Sequence, residues 1–115
     1  MQATIYHNPR CSNSRGALEI LRAAGIEPEV VEYLNTPPDA ALLKRLLAGM
    51  GLPARALLRE KEAVYAELDL GNPKWTEDDL IGFMLAHPVL INRPIVVTPK
   101  GVRLCRPPEV VREIL

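Results

Sequence analysis

The segment Ala3-Thr4-Ile5-Tyr6-His7-Asn8-Pro9-Arg10-Cys11-Ser12-Asn13-Ser14-Arg15 decides how the chain begins to fold. Its first four residues are mostly β-branched or aromatic and predict a short strand. From Ala17 to Ala24 apolar residues recur at the spacing of an amphipathic helix, and Gly25 supplies a C-terminal stop. Cys11 is therefore expected where a strand passes into the N-terminus of a helix.

The rest of the chain predicts three more strands and a block of short helices. Residues 29–34 predict a second strand, parallel to the first through a right-handed crossover. Residues 37–90 have the pattern of short helices, the first with Thr36 as its N-cap. A hairpin of two strands is expected over residues 95–105, and a last α-helix is expected to start at Arg106.

This order of elements (β-α-β, helices, β-β-α) resembles the thioredoxin-like plan with a helical insertion between its two halves. We therefore expect an α/β fold with a mixed sheet, formed by a single domain over residues 1–115 with the insertion at about 37–90. The plan often has a cis-proline just before its third strand, facing the cysteine, which implies a cis peptide bond between Arg93 and Pro94.

Composition and charge exclude several classes of function. The 115 residues carry a formal net charge of zero, so no basic field attracts nucleic acid or a membrane surface. No run is long enough to span a membrane and no secretory leader is recognisable, which favours a cytoplasmic protein. Cys11 and Cys105 are far apart in a reducing setting, and with only two isolated histidines neither a structural disulfide nor a metal site is expected.

Cys11 has the surroundings of a reactive thiol. The unpaired N–H groups and the positive dipole end of a helix N-terminus favour the thiolate, which is the nucleophilic form. Ser12 and Ser14 can donate hydrogen bonds, and Arg10 and Arg15 add positive charge. The alternative is a small buried side chain at the end of a strand, and the polar and basic flanks argue against it.

The same helix N-terminus is suited to an oxyanion such as phosphate or arsenate. Because a thiolate repels an anion, such a site needs further positive charge. Arg59, Arg93 and Arg106 could supply it, and the fold could bring the last two towards the first helix. Taken singly, each of these arginines is more simply explained as a solvated surface side chain.

The second cysteine and the first histidine add two constraints. Cys105 ends the last strand and is expected to be a buried structural thiol. Cys11 and Ser14 form a Cys-x-x-Ser motif with no resolving cysteine nearby, so a thiol from outside the chain would resolve a covalent intermediate. His7 either orients the Cys11 thiol or is a hydrogen-bonded loop histidine, and the sequence favours neither.

Five blocks of the sequence resemble the glutaredoxin-coupled arsenate reductase family. They are residues 7–15 (HNPRCSNSR), 33–38 (YLNTPP), 55–59 (RALLR), 91–99 (INRPIVVTP) and 103–107 (RLCRP). The blocks occur in the family's order and span essentially the whole chain, which is far more specific than a single motif.

The resemblance implies an arsenate reductase with Cys11 as the nucleophile. The family's arginines that hold the oxyanion match Arg59, Arg93 and Arg106. Residues near the thiol that assist it or bind substrate match His7, Ser14 and Arg15. Glutathione would act as co-substrate and attack the Cys11–arsenic adduct, glutaredoxin would take over the glutathione, and arsenite would be released without a bound cofactor.

Two other functions stay open at this point. One is an Spx-type regulator that binds RNA polymerase without catalysis, and the other is a glutathione-dependent thiol oxidoreductase with a different substrate. The Cys-x-x-Ser motif, Arg59 and the block 103–107 argue against the Spx-type regulator.

Overall fold

A four-stranded mixed sheet is built from the two ends of the chain. The computed structural model describes residues 1–115. The strands are β1 (Thr4–Tyr6), β2 (Glu29–Val31), β3 (Ile95–Thr98) and β4 (Gly101–Leu104), in the spatial order β2-β1-β3-β4. β1 pairs with β2 in parallel, whereas β1–β3 and β3–β4 are antiparallel. This arrangement confirms the predicted α/β fold class.

Helices account for most of the remaining residues. They are α1 (Ser12–Ala23), α2 (Ala40–Met50), α3 (Ala54–Leu57), α4 (Ala63–Glu67) and α5 (Glu77–Ala86), with 3₁₀ helices at Pro88–Leu90 and Pro108–Ile114. None of these helices is long and apolar enough to cross a membrane.

The chain divides into two compact units. The sheet unit comprises Met1–Thr36 and Arg93–Leu115, and the helical unit comprises Pro37–Asn92. The helical unit thus covers the stretch predicted as an insertion, while the grouping of the whole chain as one domain stays a prediction.

The core of the sheet unit lies between β1, β3, α1 and the C-terminal 3₁₀ helix. Its members are all shielded from solvent, namely Ala3, Ile5, Ala17, Leu21, Val96, Cys105, Val111 and Ile114. Gly16 allows α1 to approach the 3₁₀ helix closely, because a Cβ at this position would lie only 2.8 Å from Cγ of Pro108. This packing fixes the N-terminal half of α1 and therefore the position of Cys11.

Hydrogen bonds at the ends of helices help to stabilise the helical unit. Thr76 forms a capping box with Asp79 at the start of α5. Glu77 accepts the N–H of Ala54 at 2.7 Å, which ties α3 to α5. The α5 helix ends before His87, which is its C-terminal cap residue.

Two predicted boundaries in the first half were wrong. The N-cap of α2 is Asp39, whose side chain accepts the N–H of Leu42, and not Thr36. A helix starting at Pro37 is disfavoured because the following Pro38 restricts Pro37 to extended conformations. The second strand ends at Val31, because the Glu32 carbonyl accepts two N–H groups further along the chain and closes a turn.

The last helix was also predicted wrongly, since Pro108–Ile114 is a 3₁₀ helix and not an α-helix. Its buried residues, Val111 and Ile114, are three positions apart, which matches the three residues per turn of a 3₁₀ helix. Val110 and Leu115, on the same segment, are only partly buried.

The peptide bond between Arg93 and Pro94 is cis, which confirms the prediction at this position. A second cis bond, between Arg106 and Pro107, was not foreseen.

Candidate active site

The loop before α1 is braced by its own polar groups. Asn8 Oδ1 accepts the N–H of Arg10 at 3.0 Å, and the Asn8 carbonyl accepts the N–H of Cys11 at 3.0 Å. From α1, the Arg15 guanidinium donates to the Pro9 carbonyl at 2.9 Å. These contacts hold Cys11 as the N-cap residue of α1. The Cys11 side chain forms no capping bond, so it leaves the N–H groups of the first turn without a side-chain acceptor.

An arginine from the other end of the chain reaches the Cys11 thiol. Nη1 of Arg106 lies 3.7 Å from Cys11 Sγ and also donates to the Arg93 carbonyl at 3.1 Å. Cys11 is 7% exposed, whereas Arg106 is exposed. The structure therefore brings Cys11, Arg106 and the backbone of Arg93 together. The guanidinium of Arg106 is thus the charged group that lies against the Cys11 sulfur.

His7 and Ser14 form a buried pair behind the loop. Ser14 Oγ lies 2.6 Å from His7 Nδ1 and accepts the N–H of Asn8 at 3.0 Å. Burial lowers the pKa of His7 below its ordinary value, and the Arg22 and Arg15 charges lower it further, while Glu32 opposes them. The pair thus fastens the end of β1 to the first turn of α1. Of the two interpretations of His7, the structure shows a hydrogen-bonded histidine.

We expect the stability of the protein to fall with acidification, in part through His7. The folded state binds the His7 proton more weakly than the unfolded state, since the pKa is lowered from 6.5 on folding. Its contribution is therefore complete above that value and is lost as the pH falls through it. Urea unfolding from about pH 7.5 to about pH 5 should show a smaller loss of stability in His7→Asn than in the wild type. Equal losses of stability in both proteins would contradict this assignment. His87 is present in both proteins, so it cannot account for a difference between them.

Cys105 is a structural thiol, as predicted. Its side chain is fully buried, and burial, with a smaller effect of Glu113, raises its pKa to about 12. The neutral thiol is therefore the form present at physiological pH. No group of three or more His, Cys, Asp or Glu side chains is placed to hold a metal ion.

Native alkylation should distinguish the two cysteines. With iodoacetamide at neutral pH, Cys11 is expected to react at least about 100-fold faster than Cys105, because only thiolates that solvent can reach are alkylated. Peptide mass spectrometry after a time course gives both rates, and the urea-denatured protein, in which both cysteines react, is the control. Comparable native rates would mean that Cys105 is not shielded.

Arg59 belongs to the helical unit. Its Nε donates to Glu62 at 3.0 Å, and its main-chain N–H donates to the Leu90 carbonyl at 2.8 Å. The guanidinium is thus held in a partly buried ion pair.

The sequence did not single out Asn8 or Glu32 for the site. Asn8 could have been found, because asparagine before proline often closes a turn through its side chain. Glu32 gave no such signal, since only the pairing of β1 with β2 places it near His7.

Comparisons with known proteins show which family the chain belongs to. A model of the ArsC family matches residues 6–114. The chain belongs to the ArsC family. The match covers Cys11, its loop and the three arginines predicted from the sequence.

Several known proteins are similar to this chain over most of their length. An arsenate reductase of Escherichia coli is 59% identical over 97% of this chain and 79% of its own length. The uncharacterized protein YfgD of Escherichia coli strain K12 is 51% identical over 99% of this chain and 97% of its own length. The solved structure of an arsenate reductase from Vibrio cholerae has a TM-score of 0.96 and 49% identity, and the match covers 100% of this chain and 98% of that one.

Proposed function

We propose that this protein is an arsenate reductase in which the Cys11 thiolate attacks arsenate. The observation that carries the proposal is the contact of 3.7 Å between Arg106 Nη1 and Cys11 Sγ at the N-terminus of α1. A nucleophilic sulfur, a guanidinium and uncapped helix N–H groups converge there, which suits a reaction between a thiolate and an oxyanion. The similarity to proteins named arsenate reductase supports the same substrate.

The arginines would compensate for the charge of the substrate. Arsenate is a tetrahedral anion, and a guanidinium can bind two of its oxygens at once. Arg106 is already positioned by the Arg93 carbonyl, and its exposed guanidinium can turn toward a bound anion. Arg93 and Arg59 are proposed as the other two oxyanion ligands, with Arg59 exchanging its ion pair with Glu62 for the substrate.

The reaction balances with two external thiols for each arsenate. The Cys11 sulfur replaces one arsenate oxygen, which leaves as water, and forms a sulfur–arsenic(V) bond. The glutathione sulfur displaces a second oxygen as water. A glutaredoxin thiolate then attacks the glutathione sulfur, and the electron pair of the sulfur–arsenic bond remains on arsenic, reducing it to arsenic(III). Water hydrolyses the remaining Cys11–arsenic bond, which releases arsenite and restores the thiol.

Burial of Cys105 supports external resolution. The chain has two cysteines, and Cys105 is fully buried in the sheet core with a pKa raised to about 12. A thiol in this state is a poor nucleophile toward an adduct on Cys11. We therefore propose that glutathione, a small thiol, and glutaredoxin, a thiol–disulfide oxidoreductase, complete the cycle.

Arsenite formation with defined electron donors tests the proposal. We expect turnover with glutathione and glutaredoxin together, and a loss of at least about tenfold when thioredoxin and its reductase replace them. Turnover that only thioredoxin supports would reject glutathione and glutaredoxin as the electron donors. No arsenite with either donor, together with rapid reduction of glutathione mixed disulfides, would favour a thiol oxidoreductase with a different substrate.

A further inference from the structure

A pocket of about 430 Å³ opens beside the loop that precedes Cys11. Its walls include His7 and Arg10 of the loop and Glu32, Leu34 and Asn35 in the turn that follows β2. Cavities that bind small molecules have volumes of about 300–1,000 Å³, so this pocket can accept a ligand of that class. Neither Arg10 nor Glu32 has a part in the arsenate chemistry proposed above.

Arg10 and Glu32 bring opposite charges to the same pocket. Neither side chain belongs to one of the ion pairs of the chain, which are Arg22–Glu27, Lys44–Asp78, Arg59–Glu62 and Arg103–Glu113. The bond from the Arg10 N–H to Asn8 Oδ1 fixes the base of the arginine side chain. A ligand that carries both a carboxylate and an ammonium group would find a partner for each charge.

The arsenate anion is a poor match for this pocket. The Glu32 carboxylate would repel it, and Cys11 is not among the lining residues. The two sites are nevertheless neighbours. Arg10 precedes Cys11 in the chain, and the Asn8 carbonyl accepts the Cys11 N–H at 3.0 Å. A ligand seated in the pocket therefore lies next to the nucleophile without occupying the oxyanion site.

We propose that this pocket binds the amino-acid end of glutathione. The Arg10 guanidinium pairs with its α-carboxylate, the Glu32 carboxylate pairs with its α-ammonium group, and exposed Leu34 and Asn35 border the peptide. The thiol belongs to the residue that follows this amino-acid end, so it extends from the pocket beside the loop of the adjacent Cys11. The inference rests on the proposed function, because it takes glutathione as the resolving thiol.

Binding of S-methylglutathione, which cannot react, tests the pocket without turnover. Calorimetric titration of the wild type should give saturable binding, and Arg10→Ala and Glu32→Gln should each raise Kd about tenfold. Glu29→Gln, which removes a charge from β2, and Arg112→Ala, which removes an exposed arginine elsewhere, are the matched controls and should bind as the wild type does. The assignment is overturned when the wild type does not bind, or when all variants bind equally.

Kinetics separate this assignment from the proposed function. In arsenite formation, Arg10→Ala and Glu32→Gln should raise KM for glutathione about tenfold and leave KM for arsenate unchanged. With 2-mercaptoethanol, which has no zwitterionic end, Glu32→Gln should match the wild type. Arsenite formation with an unchanged KM for glutathione would reject the pocket and keep the function. Binding of S-methylglutathione through Arg10 and Glu32 without arsenite formation would reject the function and keep the pocket. A raised KM for glutaredoxin alone would assign the surface to the protein partner and overturn the inference.

Discussion

Replacement of Cys11 by serine is expected to lower arsenite formation by at least about 1,000-fold, because a hydroxyl is a far weaker nucleophile toward arsenic than a thiolate. Cys11 is buried at 7% exposure, but serine is close to cysteine in size, so the change leaves little empty volume. The N-cap backbone bonds, from Cys11 N–H to Asn8 and from Arg15 N–H to Cys11, do not involve the sulfur. The variant should therefore fold normally, and the measurement is arsenite formation under saturating arsenate, glutathione and glutaredoxin.

Cys105→Ala is the matched control for the loss of a thiol. It should keep wild-type turnover while costing stability on the order of 1 kcal/mol, because a buried sulfur leaves a small cavity in the sheet core. Chemical denaturation of both variants reports the stability difference. Wild-type turnover in Cys11→Ser would remove the nucleophile from the proposal, and loss of turnover in a folded Cys105→Ala would require a second thiol in the mechanism.

The sheet was predictable because its signals are local. The β-branched run at Thr4–Tyr6, the helical spacing after Cys11 and the turn Pro99-Lys100-Gly101 each specify an element within a few residues. The start of α2 was harder to locate, because Thr36 and Asp39 are both good N-cap residues and only the effect of Pro38 on its neighbour separates them. The 3₁₀ character of Pro108–Ile114 depends on tertiary packing of Val111 and Ile114, which periodicity over seven residues cannot distinguish from an α-helix.

Part of the candidate site could also be predicted from the sequence. In β3–β4, Ile95 pairs with Leu104, and the same antiparallel register continued outward places Arg93 opposite Arg106. Their proximity thus follows from the predicted hairpin once its turn is known. The buried contact between His7 and Ser14 could not be predicted in this way, because it depends on the angle between β1 and α1. The placement of Glu32 near His7 depends in the same way on the parallel pairing of β1 with β2.

Replacement of Arg106 by alanine should lower kcat/KM for arsenate about 100-fold, the effect typical of losing one donor to a charge that develops in the reaction. The guanidinium lies 3.7 Å from Cys11 Sγ, so removal of this neighbouring positive charge should also slow iodoacetamide alkylation of Cys11 at fixed neutral pH. Arg106→Lys keeps the charge but lacks the planar guanidinium whose Nη1 contacts the Arg93 carbonyl and the Cys11 thiol, and it should recover alkylation more fully than turnover. Both effects are measured on the purified variants, with circular dichroism as the check of folding.

Arg112→Ala is the control for the loss of an arginine charge near the C-terminus. Arg112 lies on the Pro108–Ile114 helix, is exposed and belongs to none of the ion pairs of the chain, so its removal should leave turnover and alkylation unchanged. Equal losses in the two alanine variants would mean that net charge alone governs the reaction. Wild-type kinetics in Arg106→Ala would mean that the contact with Cys11 Sγ has no part in it. The proposal expects a loss of turnover in Arg106→Ala alone, with alkylation restored by Arg106→Lys and turnover only partly restored. That pattern would mean that the reaction needs both the charge and the planar geometry of the Arg106 guanidinium beside the nucleophile.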